Sequence, residues 1–69
     1  MKVVLYSHNL ISILSNVSQI RRYSKTLTFY YDDDSQTIEC CDEKESREIM
    51  TEAQDHLEKD IPGYFKVYY

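Results

Sequence analysis

Residues 42–63 read DEKESREIMTEAQDHLEKDIPG, and no other segment constrains the fold as strongly. Ile49, Met50, Ala53, Leu57 and Ile61 recur at steps of three and four, which is one face of an α-helix. Asp42 stands at the N-cap position, and Glu45 three residues on gives the spacing of a capping box. Acidic residues fill the first turn, where the helix dipole favours them. Glu43 with Arg47, Lys44 with Glu48, and Asp55 with Lys59 are spaced to pair along the wet side. Pro62 and Gly63 end the pattern. It predicts a helix over about 43–59, roughly 25 Å long. A helix with a single apolar stripe must lay that stripe against another part of the chain.

The preceding segment, KTLTFYYDDDSQTIECCD, supplies such a surface. Leu27, Phe29 and Tyr31 alternate with Thr26, Thr28 and Tyr30, and Ile38 and Cys40 alternate with Thr37, Glu39 and Cys41, as in two half-buried strands. A turn at Asp33-Asp34, or a longer one from Asp32 to Ser35, sets Phe29 opposite Ile38 and Leu27 opposite Cys40. Successive strand side chains point to opposite faces. Cys40 is therefore expected inward as a small hydrophobe and Cys41 outward, with Asp42 capping the helix.

Residues 8–23 admit two readings. Leu10, Ile13, Leu14, Val17 and Ile20 have a helical period, but β-branched residues, serines and Asn16 are poor helix formers. The favoured reading is strand KVVLYS, a turn at His8-Asn9, strand LISIL, a turn at SNV, and strand QIRRYS turning at Ser24-Lys25. The helical alternative gives βαββαβ, a ferredoxin-like order. The tail YFKVYY reads as a short strand, Phe65 and Val67 on one side and Tyr64, Lys66 and Tyr68 on the other. The fold class is α+β: one domain over residues 1–69, a small antiparallel meander with the helix on one face. Ile49, Ala53 and Leu57 are expected to pack on Leu27, Phe29, Ile38 and Cys40, with Val3, Leu5 and Ile20 extending the core.

A chain of 69 residues with net charge −4 is small and acidic. The charge disfavours non-specific binding to nucleic acid or to anionic membranes. No apolar run approaches the ~18 residues of a membrane span, and the opening MKVVLYSHNLISILSN lacks the continuous apolar centre of a signal peptide. A cytoplasmic location with reduced cysteines is expected.

The stretch NVSQIRRYSKTLTFYYDDDSQTIECCDEKESREIM (residues 16–50) combines a polar turn, two alternating strands around an acidic turn, and an acid-capped helix. This layout resembles small bacterial and phage β-meander-plus-helix proteins, some similar to half of a pleckstrin-homology-like sheet. The resemblance covers about half the chain, rests on hydrophobic pattern, and implies a fold but no activity.

Cys40-Cys41 lacks the C-x-x-C turn and the further ligands of a zinc site. Asp32-Asp33-Asp34 lacks the spacing and glycine of a calcium loop and reads as a hairpin turn. His8 reads as a turn residue and His56 as a helix-margin residue without an orienting partner. No catalytic, cofactor or metal residues are assigned, and a non-enzymatic protein is predicted.

Three interaction readings follow. Tyrosine is enriched at protein interfaces, and seven tyrosines are present. Tyr64, Lys66, Tyr68 and Tyr69 mark the tail as a candidate protein-contact surface and a candidate homodimer edge. Arg21, Tyr23 and Tyr30 share a sheet face that resembles a single-stranded nucleic-acid platform. Glu45, Glu48, Glu52, Asp55 and Glu58, with Asp32 to Asp34, suggest an acidic mimic of nucleic acid directed at a basic partner. The first reading, a small regulatory or interaction protein, is preferred.

Overall fold

The computed structural model describes residues 1–69. Its elements are β1 (Lys2–Tyr6), β2 (Ile11–Leu14), β3 (Val17–Tyr23), β4 (Thr26–Tyr31), β5 (Asp34–Glu39), α1 (Glu43–Glu58) and β6 (Tyr64–Tyr68). The class is α+β, and residues 8–23 form strands and turns, so the ferredoxin-like order does not apply. The strands divide into two three-stranded sheets, β2-β1-β6 and β3-β4-β5. β6 returns after α1 to lie parallel to β1; every other pairing is antiparallel.

The two sheets meet at a corner. Only Ser15 and Asn16 separate β2 from β3, and Asn16 takes φ 61°. The Val17 N–H donates to the Met1 carbonyl at 2.9 Å while Val17 also faces Tyr31 in β4, so this residue serves both sheets. The β3–β4 register shifts between Val17 and Gln19, leaving Ser18 as the extra residue of a bulge. Bulges add twist and let a strand cross from one sheet to another. Here the bend turns the inner faces of both sheets toward one interior.

The β4–β5 turn is Asp32-Asp33, one residue earlier than the sequence predicts. Leu27 therefore faces Ile38, Phe29 faces Gln36 and Thr28 faces Thr37. The reason is local. Asp32 adopts φ 51°, the positive φ that two-residue hairpin turns require and that Asp tolerates, and Asn16 Nδ2 donates to its Oδ1 at 3.2 Å. Because the slip is two residues, no side chain changes face. Leu27, Phe29, Ile38 and Cys40 are buried, and Cys41 is exposed.

One cluster of 12 buried residues joins both sheets and the helix: Val3, Leu5, Phe65, Val67 and Leu14 from the first sheet, Val17, Ile20, Leu27, Phe29, Ile38 and Cys40 from the second sheet and its end, and Ala53 from α1. The helix lies against β3, β4 and β6. Ser46 and Ala53 are its fully buried residues, with Ile49 and Met50 half-buried beside them. The Ser46 hydroxyl sits 2.7 Å from the Ser24 carbonyl, tying the first helical turn to the β3–β4 turn. Leu57, expected in the core, is 38% exposed. The buried stripe runs through positions 46, 49, 50, 53 and 56, and Leu57 falls at its margin.

Both helix ends differ from expectation in detail. Asp42 caps the N-terminus by accepting from the Glu45 N–H at 2.8 Å. The reciprocal half of the capping box is not formed, since Glu45 Oε1 is enclosed without a partner. Of the three i,i+4 pairs, Glu43–Arg47 and Asp55–Lys59 close at 2.6 and 3.0 Å, and Lys44–Glu48 is not among the ion pairs. The helix stops before Pro62: Asp60 takes φ 48°, its N–H reaches the Leu57 carbonyl, and the Ile61 N–H reaches His56. These two bonds form a Schellman cap with Asp where glycine is usual.

Three outcomes are expected in urea unfolding. Phe29→Ala, removing a fully buried ring, lowers stability by about 3–5 kcal/mol, most of what a domain of this size has. Leu57→Ala costs roughly 1 kcal/mol. Asp60→Gly raises stability by about 1 kcal/mol by relieving the positive φ and removing an anion from the negative helix end, a gain of several degrees in Tm.

Candidate interaction surfaces

Strand alternation assigns each side of the β1 sheet. Val3, Leu5, Leu14, Phe65 and Val67 point into the core. Lys2, Val4, Tyr6, Ile11, Ile13, Tyr64, Lys66 and Tyr68 fall on the other side. A one-sided sheet ordinarily turns polar residues to water. β2 does the reverse: Ser12 points inward, where Gln36 Nε2 donates to its hydroxyl at 3.5 Å, while Ile11 and Ile13 are each 63% exposed. A one-residue slip would bury both isoleucines, but it would turn Leu14 away from Val3, its partner across the ladder.

The rest of this face is aromatic and cationic. Tyr6 and Tyr68 are cross-strand neighbours with rings stacked at 4.7 Å and 12°. Lys2 Nζ lies 5.6 Å from the Tyr64 ring centroid. Lys66 sits beside Val4, which in turn neighbours Ile13. All twelve acidic residues of the chain lie between Asp32 and Asp60, so β1, β2 and β6 contain none.

The residues singled out from sequence are thus divided. Tyr64, Lys66 and Tyr68 lie on this face. Tyr69 does not: it packs partly buried against the core, and its N–H donates to the Tyr6 carbonyl at 2.9 Å. Arg21, Tyr23 and Tyr30 belong to the β4 sheet, where with Arg22 and Thr28 they line a shallow groove of about 200 Å³. Arg21 has no ion pair or side-chain hydrogen bond, whereas Arg22 Nη1 donates to the Ser24 carbonyl at 3.0 Å and lies 3.7 Å from Glu43. The spacing of tyrosines did not point to Lys2, Tyr6, Ile11 or Ile13. The signal that marks them is the acid-free composition of residues 1–31 together with isoleucines two apart in a strand whose intervening residue is serine.

The acidic side is less uniform than its sequence suggests. Glu48 and Glu52 are exposed on α1, but Glu45 turns partly inward toward Cys40. A hydrogen bond from Arg47 holds the Glu43 carboxyl below the usual carboxylate range, the Arg47 charge lowering it further against slight desolvation, with Arg22 assisting. Burial pushes the Cys40 thiol up, and the charges of Glu45, Cys41 and Asp42 add to the effect. His56 rests against Phe65 at 5.5 Å with Nε2 enclosed and unpartnered; His8 lies in the exposed β1–β2 turn. No three His, Cys, Asp or Glu side chains converge as a metal site, and no helix is long and apolar enough to cross a membrane.

Comparison with known protein families, curated proteins and solved structures finds no match.

The cysteines give a direct check on the Cys40/Cys41 arrangement. In native protein, iodoacetamide followed by peptide mass spectrometry is expected to label Cys41 rapidly and Cys40 only on unfolding. Folding keeps Cys40 neutral, so its contribution to stability is complete below the ordinary thiol pKa of about 8.5 and is lost as pH rises toward the higher folded value. Cys40→Ala should flatten that alkaline slope.

Proposed function

We propose that this chain is a non-enzymatic interaction protein that works through protein–protein contacts made by the outer face of the β1 sheet. The observation that carries this reading is the inverted strand β2, with Ile11 and Ile13 turned to water on the same face as Tyr68, itself 67% exposed and separated from Ile11 by Tyr6. Exposed apolar side chains gathered on one face mark interaction sites, whereas isolated ones need no explanation. Tyrosine contributes large contact area at low entropic cost, and Tyr6, Tyr64 and Tyr68 extend the face from the isoleucines across β1 to β6.

A second reading, single-stranded nucleic-acid binding, draws support from the unpaired Arg21 guanidinium between Tyr23, 84% exposed, and Tyr30 in the β4-sheet groove. One unpaired cation in that groove gives little electrostatic drive, so this reading ranks below the first.

Photo-crosslinking separates them. With a benzoyl-phenylalanine placed in turn at positions 13, 23 and 48 and activated in the cells that make the protein, a discrete protein adduct is expected from position 13 and none from position 48. Nuclease-sensitive adducts from position 23, with none from 13, would transfer the function to the β4 sheet.

A further inference from the structure

The shape and charge of the β1-sheet face restrict what it can receive, and the inference drawn from them rests on reading that face as the contact surface. Its outer strands are about 10 Å apart, and its five-residue strands are about 17 Å long. A single α-helix is about 10 Å across, and three turns span about 16 Å. A second copy of this chain laid face to face with like strands opposed would set Lys66 against Lys66, and a face about 10 Å by 17 Å is small beside the ~800 Å² that each partner of a stable dimer contributes.

The side chains are graded across the face. Ile11 and Ile13 occupy the β2 flank, Val4 lies at the centre, Lys66 sits on β6 beside Val4, and Lys2 heads β1. The four ion pairs of the molecule involve Arg22, Lys25, Arg47 and Lys59, so neither Lys2 nor Lys66 has a carboxylate partner. An occupant that uses the whole face brings apolar groups for the β2 flank and anionic groups for Lys2 and Lys66, with exposed Tyr64 and Tyr68 offering aromatic contact on β6. A phosphate backbone supplies the anions but would desolvate its charges against isoleucine, which is costly.

We propose that the outer face of the β1 sheet receives an acidic amphipathic helix of about three turns from a partner protein. The apolar ridge of that helix lies over Ile11 and Ile13, with Val4, only 6% exposed, as the floor beside them, and its carboxylates meet Lys2 and Lys66. Opposite charge gives the complex its partner choice, since a helix with a basic polar face meets two unpaired amines.

The test is an NMR titration of the 15N-labelled full chain with two synthetic helical peptides. They share the same leucine ridge and carry either glutamate or lysine at the flanking positions. The glutamate peptide is expected to shift amides of β1, β2 and β6 saturably, to bind about tenfold more tightly than the lysine peptide, and to weaken as salt is raised. The Lys2→Glu/Lys66→Glu double variant, whose changes are on exposed side chains, should reverse the preference, and Ile13→Ser should weaken both peptides. Equal binding of the two peptides at this face overturns the acidic-helix inference while leaving the face as an interaction surface. No shifts at the face with either peptide, the same shifts from oligothymidylate, or concentration-dependent shifts without peptide each overturn it as well. The crosslinking result at position 13 judges the underlying reading separately.

Discussion

Each sheet of this protein is three short strands with one apolar face, and that face must be covered by a second layer. The shared cluster built from Val3, Leu5, Leu27, Phe29 and Val67 supplies that layer to both at once. Everything else depends on the bend that brings the two inner faces together. Asn16 in a left-handed conformation, the Ser18 bulge and the Val17–Met1 bond carry the chain from one sheet to the other within a few residues. α1 then closes the interior, with Ala53 small enough to let the helix approach and Ser46 bonded to the Ser24 carbonyl.

This economy has a consequence at the surface. A core shared by two thin sheets and one helix leaves each sheet with its other face outward. On the β4 sheet that face follows the usual rule, with Thr28 and Thr37 hydroxyls 2.9 Å apart and Lys25 paired with Glu39 at 3.3 Å. On the β1 sheet the rule is broken by Ile11 and Ile13. The exception sits in a strand whose register is already held by Leu14 against Val3 and by the Ser7–Leu10 turn bond, so folding does not require the isoleucines to be where they are.

Charge separates along the same lines, for reasons of local chemistry. Asp and Glu favour turns, caps and helices and are depleted in strands. The acids therefore occupy the β4–β5 turn, β5, α1 and the residues that flank α1, and β1, β2 and β6 keep only Lys2 and Lys66 as charged side chains. A chain of net charge −4 thus carries a face that is locally positive. Net charge alone would have placed every cationic function out of reach, and the folded arrangement shows why it is a poor guide to a single surface.

Short-range order was legible in the residues. The 3.6-residue period fixed the position of α1, Asp42 announced its start, and strand alternation separated Cys40 from Cys41 before any pairing was known, because each depends only on neighbours a few positions away. What the residues alone did not decide was long-range: the parallel return of β6 to β1, the division into two sheets, the partial burial of Tyr69 and the displacement of Leu57 to the margin. Those outcomes follow from which surfaces compete for one small interior, and that competition is settled only when the whole chain is packed. The exposed isoleucines belong to the same class. A strand of Ile-Ser-Ile-Leu can face either way by its own pattern, and the neighbours it meets in space choose the side.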